Sequence, residues 1–134
     1  MKLLLVFLPL LISVYGCAAV NTIPEGAVPL STEEINTTFS GVRESYKGKD
    51  IPGLTATGKF GVDGRFEASW KVGNQKGEAV GEWYAENGKR CLKEEKPNGD
   101  TNLECIELYK TGDVYTSLNE DGSVHGIHSL SPLE

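Results

Sequence analysis

Between residues 55 and 130 the apolar positions recur with a period of two. Arg65 to Trp70 alternates cleanly, with Phe66, Ala68 and Trp70 on one face and Arg65, Glu67 and Ser69 on the other, as side chains do along a half-buried strand. Turn signals recur about every ten residues, at Val62-Asp63-Gly64, Glu86-Asn87-Gly88, Pro97-Asn98-Gly99 and Glu120-Asp121-Gly122. Each places Asp or Asn before Gly, residues that tolerate positive φ, and each fits a three-residue hairpin loop ending in a left-handed glycine. The spacing predicts seven strands, over residues 55–60, 65–72, 78–85, 89–95, 102–110, 114–118 and 124–130, joined as an antiparallel meander.

The loops set registers. A loop over 62–64 puts Phe60 opposite Phe66, Gly58 opposite Ala68 and Ala56 opposite Trp70, all on one apolar face. A loop over 97–99 puts Cys91 opposite Cys105; facing Cα atoms of antiparallel strands lie ~4.5–5.5 Å apart, within reach of a disulfide. A loop over 86–88 puts Trp83 opposite Cys91 and on its face. The expected core is Phe60, Phe66, Trp70, Trp83, Cys91, Leu103 and Cys105, with the faces of Val80, Leu92, Ile106 and Leu108 left open. A sheet of this size has exposed edges and must curl, close or be covered. The expected fold is therefore mainly β: an antiparallel meander forming a twisted sheet or a small, partly closed barrel, with one short N-terminal helix.

That helix is expected over about 32–40. Ser31 and Glu34 form the capping-box pattern, and Leu30 and Ile35 can staple across the cap. Ile35 and Phe39 fall one turn apart on one face, and Gly41 is placed to end the helix. So short a helix needs an apolar surface to dock against.

Ahead of the domain, Lys2 precedes a solid apolar run from Leu3 to Ile12 and the closing sequence Val14-Tyr15-Gly16-Cys17. A run of about ten residues at ~1.5 Å each cannot cross a ~30 Å hydrocarbon core, and it fits the central region of a signal peptide. Its ending resembles a bacterial lipoprotein signal: Val14, Gly16 and Cys17 match, while Tyr15 stands where small residues are usual. The resemblance implies lipidation of Cys17, and Ala18 behind it is compatible with outer-membrane sorting. The alternative is ordinary cleavage after Ala19. The expected organisation is a signal peptide over 1–16, the lipid-anchor cysteine and a Pro- and Gly-bearing tether over 17–30, and a single β-rich domain over 31–134.

Removing 16 of the 134 residues leaves 118, enough for one core. The chain has 13 Lys plus Arg against 19 Asp plus Glu, a formal −6, and loss of Lys2 takes it to −7. Such a surface repels phosphate backbones and anionic lipid, which excludes nucleic acid as a partner and leaves acyl chains on Cys17 as the membrane attachment. Lipidation would also resolve the odd count of three cysteines, leaving Cys91 and Cys105 to pair in an oxidising compartment. The expected place is the bacterial cell envelope, facing the periplasm from the outer membrane, or else free in the periplasm; two free thiols in the cytosol are the alternative.

The stretch from Trp83 to Tyr115 reads W-Y-A-E-N-G-K-R-C, then C-I-E-L-Y-K-T-G-D-V-Y, behind an upstream S-T-E-E-I and F-S-G helix. It resembles the small secreted proteobacterial proteins classed as domain of unknown function 995. The resemblance spans about residues 30–128 and implies the fold, with no activity attached.

Candidate chemistry is sparse. His125 and His128 are the only histidines. Three apart on a strand, they face opposite sides unless a bend intervenes, and they read as surface imidazoles rather than a metal site. Among Glu33, Glu34, Glu94, Glu95, Glu104, Glu107 and Asp113, no pair stands out for glycoside hydrolysis. The serines show no nucleophile elbow or evident base, and no phosphate-binding glycine motif occurs. No cofactor is expected. Arg43, Tyr46, Lys47 and Lys49 form the one basic cluster. It reads first as a solvated loop and second as a contact for an acidic partner or glycan. The leading expectation is a non-enzymatic envelope lipoprotein that binds an unknown envelope protein, with inhibition of, or accessory service to, an envelope enzyme as one variant. The alternatives are a carrier of a small apolar ligand in a curled sheet and, last, a carboxylate-based hydrolase.

Overall fold

The computed structural model describes residues 22–133. The signal segment and Cys17 lie outside the described residues. The alternating pattern produces the expected seven strands and two more. In chain order the elements are β1 (Val28–Pro29), α1 (Thr32–Phe39), β2 (Val42–Gly48), β3 (Thr55–Phe60), β4 (Arg65–Val72), β5 (Gln75–Glu86), β6 (Lys89–Glu95), β7 (Thr101–Thr111), β8 (Val114–Leu118) and β9 (Val124–Pro132). Each strand from β2 to β9 pairs antiparallel with its sequence neighbour, and β2 also pairs with β9. The meander is thereby a closed eight-stranded barrel with no open edge around its ring. The two-residue β1 adds to β7 alongside it, drawing Val28 and Pro29 of the expected tether into the sheet.

β2 is the strand that the sequence reading took for a solvated loop. Its inward positions are Val42, Glu44, Tyr46 and Gly48, while Arg43, Ser45 and Lys47 are exposed. Alternation is present, but a carboxylate occupies an inward position, so it does not read as apolar.

The loop over 62–64 gives the expected register, with Phe60 opposite Phe66, Gly58 opposite Ala68 and Ala56 opposite Trp70. The loop over 97–99 sets Cys91 opposite Cys105, and the disulfide is formed. The third hairpin differs. Glu86 pairs with Lys89 around the two-residue turn Asn87-Gly88, whose φ values of 51° and 72° are those of a type I′ turn. The one-residue change moves Tyr84 opposite Cys91 and Trp83 opposite Leu92. Trp83 therefore points into the barrel, away from the cystine, which lies on the outer face. Leu103 shares that outer face, two residues from Cys105, and is 56 % exposed rather than core. Cys105 and Trp70 are only partly buried.

The core is concentrated at the end where β3 finishes and β4 begins. Both capping-box bonds at Ser31 and Glu34 are present, and Thr32 Oγ1 accepts from the Gly88 amide at 2.7 Å. This fixes α1 across the barrel end, with Ile35 and Phe39 fully buried. Phe39 packs edge-on against Phe60 and Tyr115, and Phe60 against Trp83. Burying Ile35 and Phe39 is worth about 1.5–3 kcal/mol each, which holds the short helix in place.

Candidate functional site

The interior beyond the aromatic plug is polar. Glu44 and Tyr46 enter from β2, Arg90 from β6, Glu104 from β7, Ser117 from β8, and His125 and His128 from β9. The two histidines converge because β9 carries a bulge. Ser117 pairs with Gly126 but Leu118 pairs with Val124, so His125 is the extra residue and is turned inward with His128. The expectation of two surface imidazoles is thus corrected: His128 is 1 % exposed and His125 is partly buried.

Glu44 lies at the centre. Its Oε1 accepts from Arg90 Nη1 at 3.0 Å, and both side chains are buried. The guanidinium lies in the corner formed by the Phe39 and Phe60 rings, 4.7 and 4.6 Å from their centroids, where the ring faces attract its charge. The same Glu44 oxygen meets His128 Nδ1. An ionised carboxylate only accepts, so the network assigns the proton to Nδ1 and leaves Nε2 to accept from Ser117 Oγ at 2.7 Å. Ser117 Oγ in turn lies 3.0 Å from His125 Nδ1, and His125 Nε2 lies 2.8 Å from Glu104 Oε1. Tyr46 Oη donates to the His125 carbonyl at 3.0 Å.

These contacts set the titration. Burial alone would raise the Glu44 pKa, but the charges of Arg90 and His128 and their hydrogen bonds overcome it and bring it down to about 2. Burial holds His128 below its ordinary value, despite the attraction of Glu44, so it is neutral near pH 7. The hydrogen bond from His125 lowers Glu104 against its partial desolvation. Burial and then the carboxylates of Asp50, Glu104 and Glu44 push the Tyr46 phenol up.

Ser117, His128 and Glu44 are strung like a hydrolytic triad, so a base does stand beside a serine, which the sequence reading missed. Ser117, however, is fully buried on a regular strand and does not line the cavity that Glu44 and His128 border. An acyl group has no approach to its Oγ, as nucleophilic attack requires. Glu44 and Glu104 are both held ionised, so neither is the proton-donating acid that glycoside hydrolysis needs.

The cavity has a volume of about 110 Å³. Glu44, Tyr46, Arg90, Glu104, His125 and His128 form its polar side, and Phe60, Phe66, Leu92 and Ile106 its apolar side. Its existence follows from the sequence. Eight strands enclose a space that side chains normally fill, but the inward positions beside it include the small Ala56 and Gly58 of β3 and Ala68 of β4. Ala56, Ala68, Trp70 and Ala79 point inward yet remain partly exposed, which marks the mouth at the end opposite α1. A recess of about 580 Å³ beside it is lined by the inward Ala56, Trp70 and Gly77 and by the outward Thr55, Thr57, Ser69, Lys71, Lys76 and Glu78, and shares Ala56 and Thr57 with the cavity.

The expected basic cluster is divided by this arrangement. Arg43, Lys47 and Lys49 are exposed, while Tyr46 faces the interior. Row pairing instead aligns Lys47, Thr55, Lys71 and Lys76 across β2 to β5, giving the mouth a basic flank. Of the seven carboxylates singled out in the sequence, Glu104 alone borders the cavity, and Glu44 was not among them. Among the described residues, no three His, Cys, Asp or Glu side chains are arranged to hold a metal ion.

No family model matches the chain, and no curated protein or solved structure matches it.

Proposed function

We propose that the protein is a non-enzymatic binding barrel of the bacterial envelope that takes a small, largely apolar ligand into its interior. The observation that carries this reading is the cavity. Small inward residues, Ala56 and Gly58 on β3 and Ala68 on β4, border this space in a barrel whose remaining interior is densely aromatic. At about 110 Å³, the space is below the ~300 Å³ typical of drug-sized ligands. The bound part is accordingly small, and any larger remainder would lie in the recess beside Trp70. The enclosure of Ser117 and the ionised state of both cavity carboxylates speak against hydrolysis.

The envelope assignment draws on the signal-like N-terminus, Cys17 and the Cys91–Cys105 pair. Acyl chains on Cys17 would hold the barrel at the outer membrane with its mouth available to the periplasm. Native mass spectrometry of the protein purified from membranes is expected to show a sub-stoichiometric or full complement of one small, extractable molecule. A stoichiometric protein partner with an empty barrel would contradict the reading. In the same preparation Cys17→Ser is expected to move the protein to the soluble fraction, and unchanged membrane association would overturn the anchor.

A further inference from the structure

We infer that the outer face of β2 to β4 is a second binding site, a trench with a hydroxyl floor and basic rims that takes an acidic polysaccharide laid across the strands. Strand pairing carries the geometry. Ser45, Thr57 and Ser69 fall opposite one another on β2, β3 and β4, and Ser129 of β9 extends the row beyond Ser45. All four are exposed, and they present a hydroxyl at each strand step of ~4.8 Å. The rows two residues away along the strands carry long side chains. On one side Arg43 faces Lys59. On the other Lys71 faces Lys76, in the row of Lys47. A short row between two long ones leaves a groove. A volume of about 350 Å³ lies over Thr57 and Ser69, walled by Arg43, Lys59, Glu67, Glu78 and Val80.

The charge of this face is opposite to that of the chain. Across β2 to β5 the three rows hold five cations, Arg43, Lys47, Lys59, Lys71 and Lys76, against two acids, Glu67 and Glu78. The whole chain has 13 Lys plus Arg to 19 Asp plus Glu. None of the five cations is in an ion pair among the described residues. With a Debye length of about 8 Å at physiological salt, a polymer on this face meets those cations rather than the net charge.

The floor and the missing anchors choose the polymer. A pyranose chain advances by about one strand spacing per residue, so successive ring hydroxyls meet successive floor hydroxyls while carboxylates reach the rims. Protein partners are anchored by Trp, Tyr and Arg, and these rows hold no aromatic residue. The closed ring offers a peptide no free edge on these strands. An anionic bilayer is held by a basic surface whose apolar side chains enter it, and Val80 is the one large apolar side chain in the three rows. The trench lies on the opposite side of the sheet from the cavity, so the two sites stand or fall separately.

The test titrates the Cys17→Ser form of the chain, which carries no acyl group, and follows its amides by NMR. The probes are hexagalacturonate, its methyl ester, hexaglutamate and vesicles containing phosphatidylglycerol. Hexagalacturonate is expected to move the amides of Ser45, Thr57 and Ser69, and to weaken several-fold as salt rises from ~50 to ~200 mM, because the charges it meets are exposed. The ester lacks the charge and hexaglutamate lacks the ring hydroxyls, and each is expected to bind at least about tenfold more weakly. Lys59→Glu with Lys71→Glu is expected to abolish saccharide binding. Ser45→Ala with Thr57→Val and Ser69→Ala keeps the cations, and is expected to weaken hexagalacturonate about tenfold and leave hexaglutamate unchanged. If a variant does not fold, the amide map of the parent chain decides, and shifts confined to other strands would overturn the site. Equal binding of the ester would overturn the charge argument, and equal binding of hexaglutamate the sugar argument. Vesicle binding that depends on Lys59 and Lys71 would make the face a membrane contact and overturn the polysaccharide. Binding of none of the probes would overturn this inference and leave the cavity reading untouched.

Discussion

Glu44 and Arg90 form an ion pair at 3.0 Å inside the barrel, 46 residues apart in the chain, with the guanidinium against the rings of Phe39 of the helix and Phe60 of β3. The pair thus ties β2, β6 and the helix plug together. Removing either partner strands a buried charge. Glu44→Leu and Arg90→Met are each expected to cost about 3–5 kcal/mol in urea unfolding at pH 7, and the double variant less than either single change. Losses that simply add would contradict the coupling.

Stability is expected to fall with acid in two stages. His128 has a folded pKa below its ordinary 6.5, so below about pH 6.5 the unfolded chain binds the proton that the folded protein refuses, and stability declines. Glu44 has a folded pKa of about 2 against an ordinary 4.5. Its contribution is complete above pH 4.5 and is lost as the pH falls towards 2, a total of about 3 kcal/mol. In both windows the unfolded state holds more protons, so stability rises with pH. Urea melts across this range check the sign. His128→Gln is expected to flatten the upper stage and to shrink the lower one, because His128 helps Arg90 hold Glu44 ionised.

Gly126 lies beneath the Tyr46 ring, and a Cβ there would strike it. Gly126→Ala is therefore expected to cost about 1–3 kcal/mol as overpacking. Adding Tyr46→Leu should recover most of that loss. A double-mutant cycle by thermal unfolding measures the relief, and additive effects would show that the ring has another place to go.

The cystine braces β6 to β7 on the outer face, away from the cavity. Reduction, or the paired change Cys91→Ser with Cys105→Ser, is expected to lower stability by roughly 3 kcal/mol on the chain-entropy account of a loop of this size, with ligand binding in the cavity retained. Intact-mass analysis of the alkylated, exported protein should show no modification at either position.

Much of the fold was legible in the residues. Period-two alternation and Asp/Asn-Gly turns gave seven strands and the register that pairs Cys91 with Cys105. The closure was not legible, because β2 hides its alternation behind Glu44 and Tyr46, whose burial depends on Arg90 and His125 from distant strands. Trp83 was misplaced because Glu86-Asn87-Gly88 suits a two-residue turn as well as a three-residue one, and that single step reverses the face. The site was the least legible part. The bulge at His125 has no local signature, and Ser117 looks unremarkable until β9 lies beside it. The small inward residues Ala56, Gly58 and Ala68 were visible, but they mean a cavity only once the sheet is known to close.

Xenon-pressurised crystals of the exported protein test the hollow barrel most directly, since xenon enters apolar cavities irrespective of polar recognition. The account predicts a xenon atom inside the barrel, against Phe66, Ala68, Leu92 and Ile106. A barrel interior that excludes xenon, with the side chains of Tyr46, Trp70 and Leu92 filling the space, would contradict it.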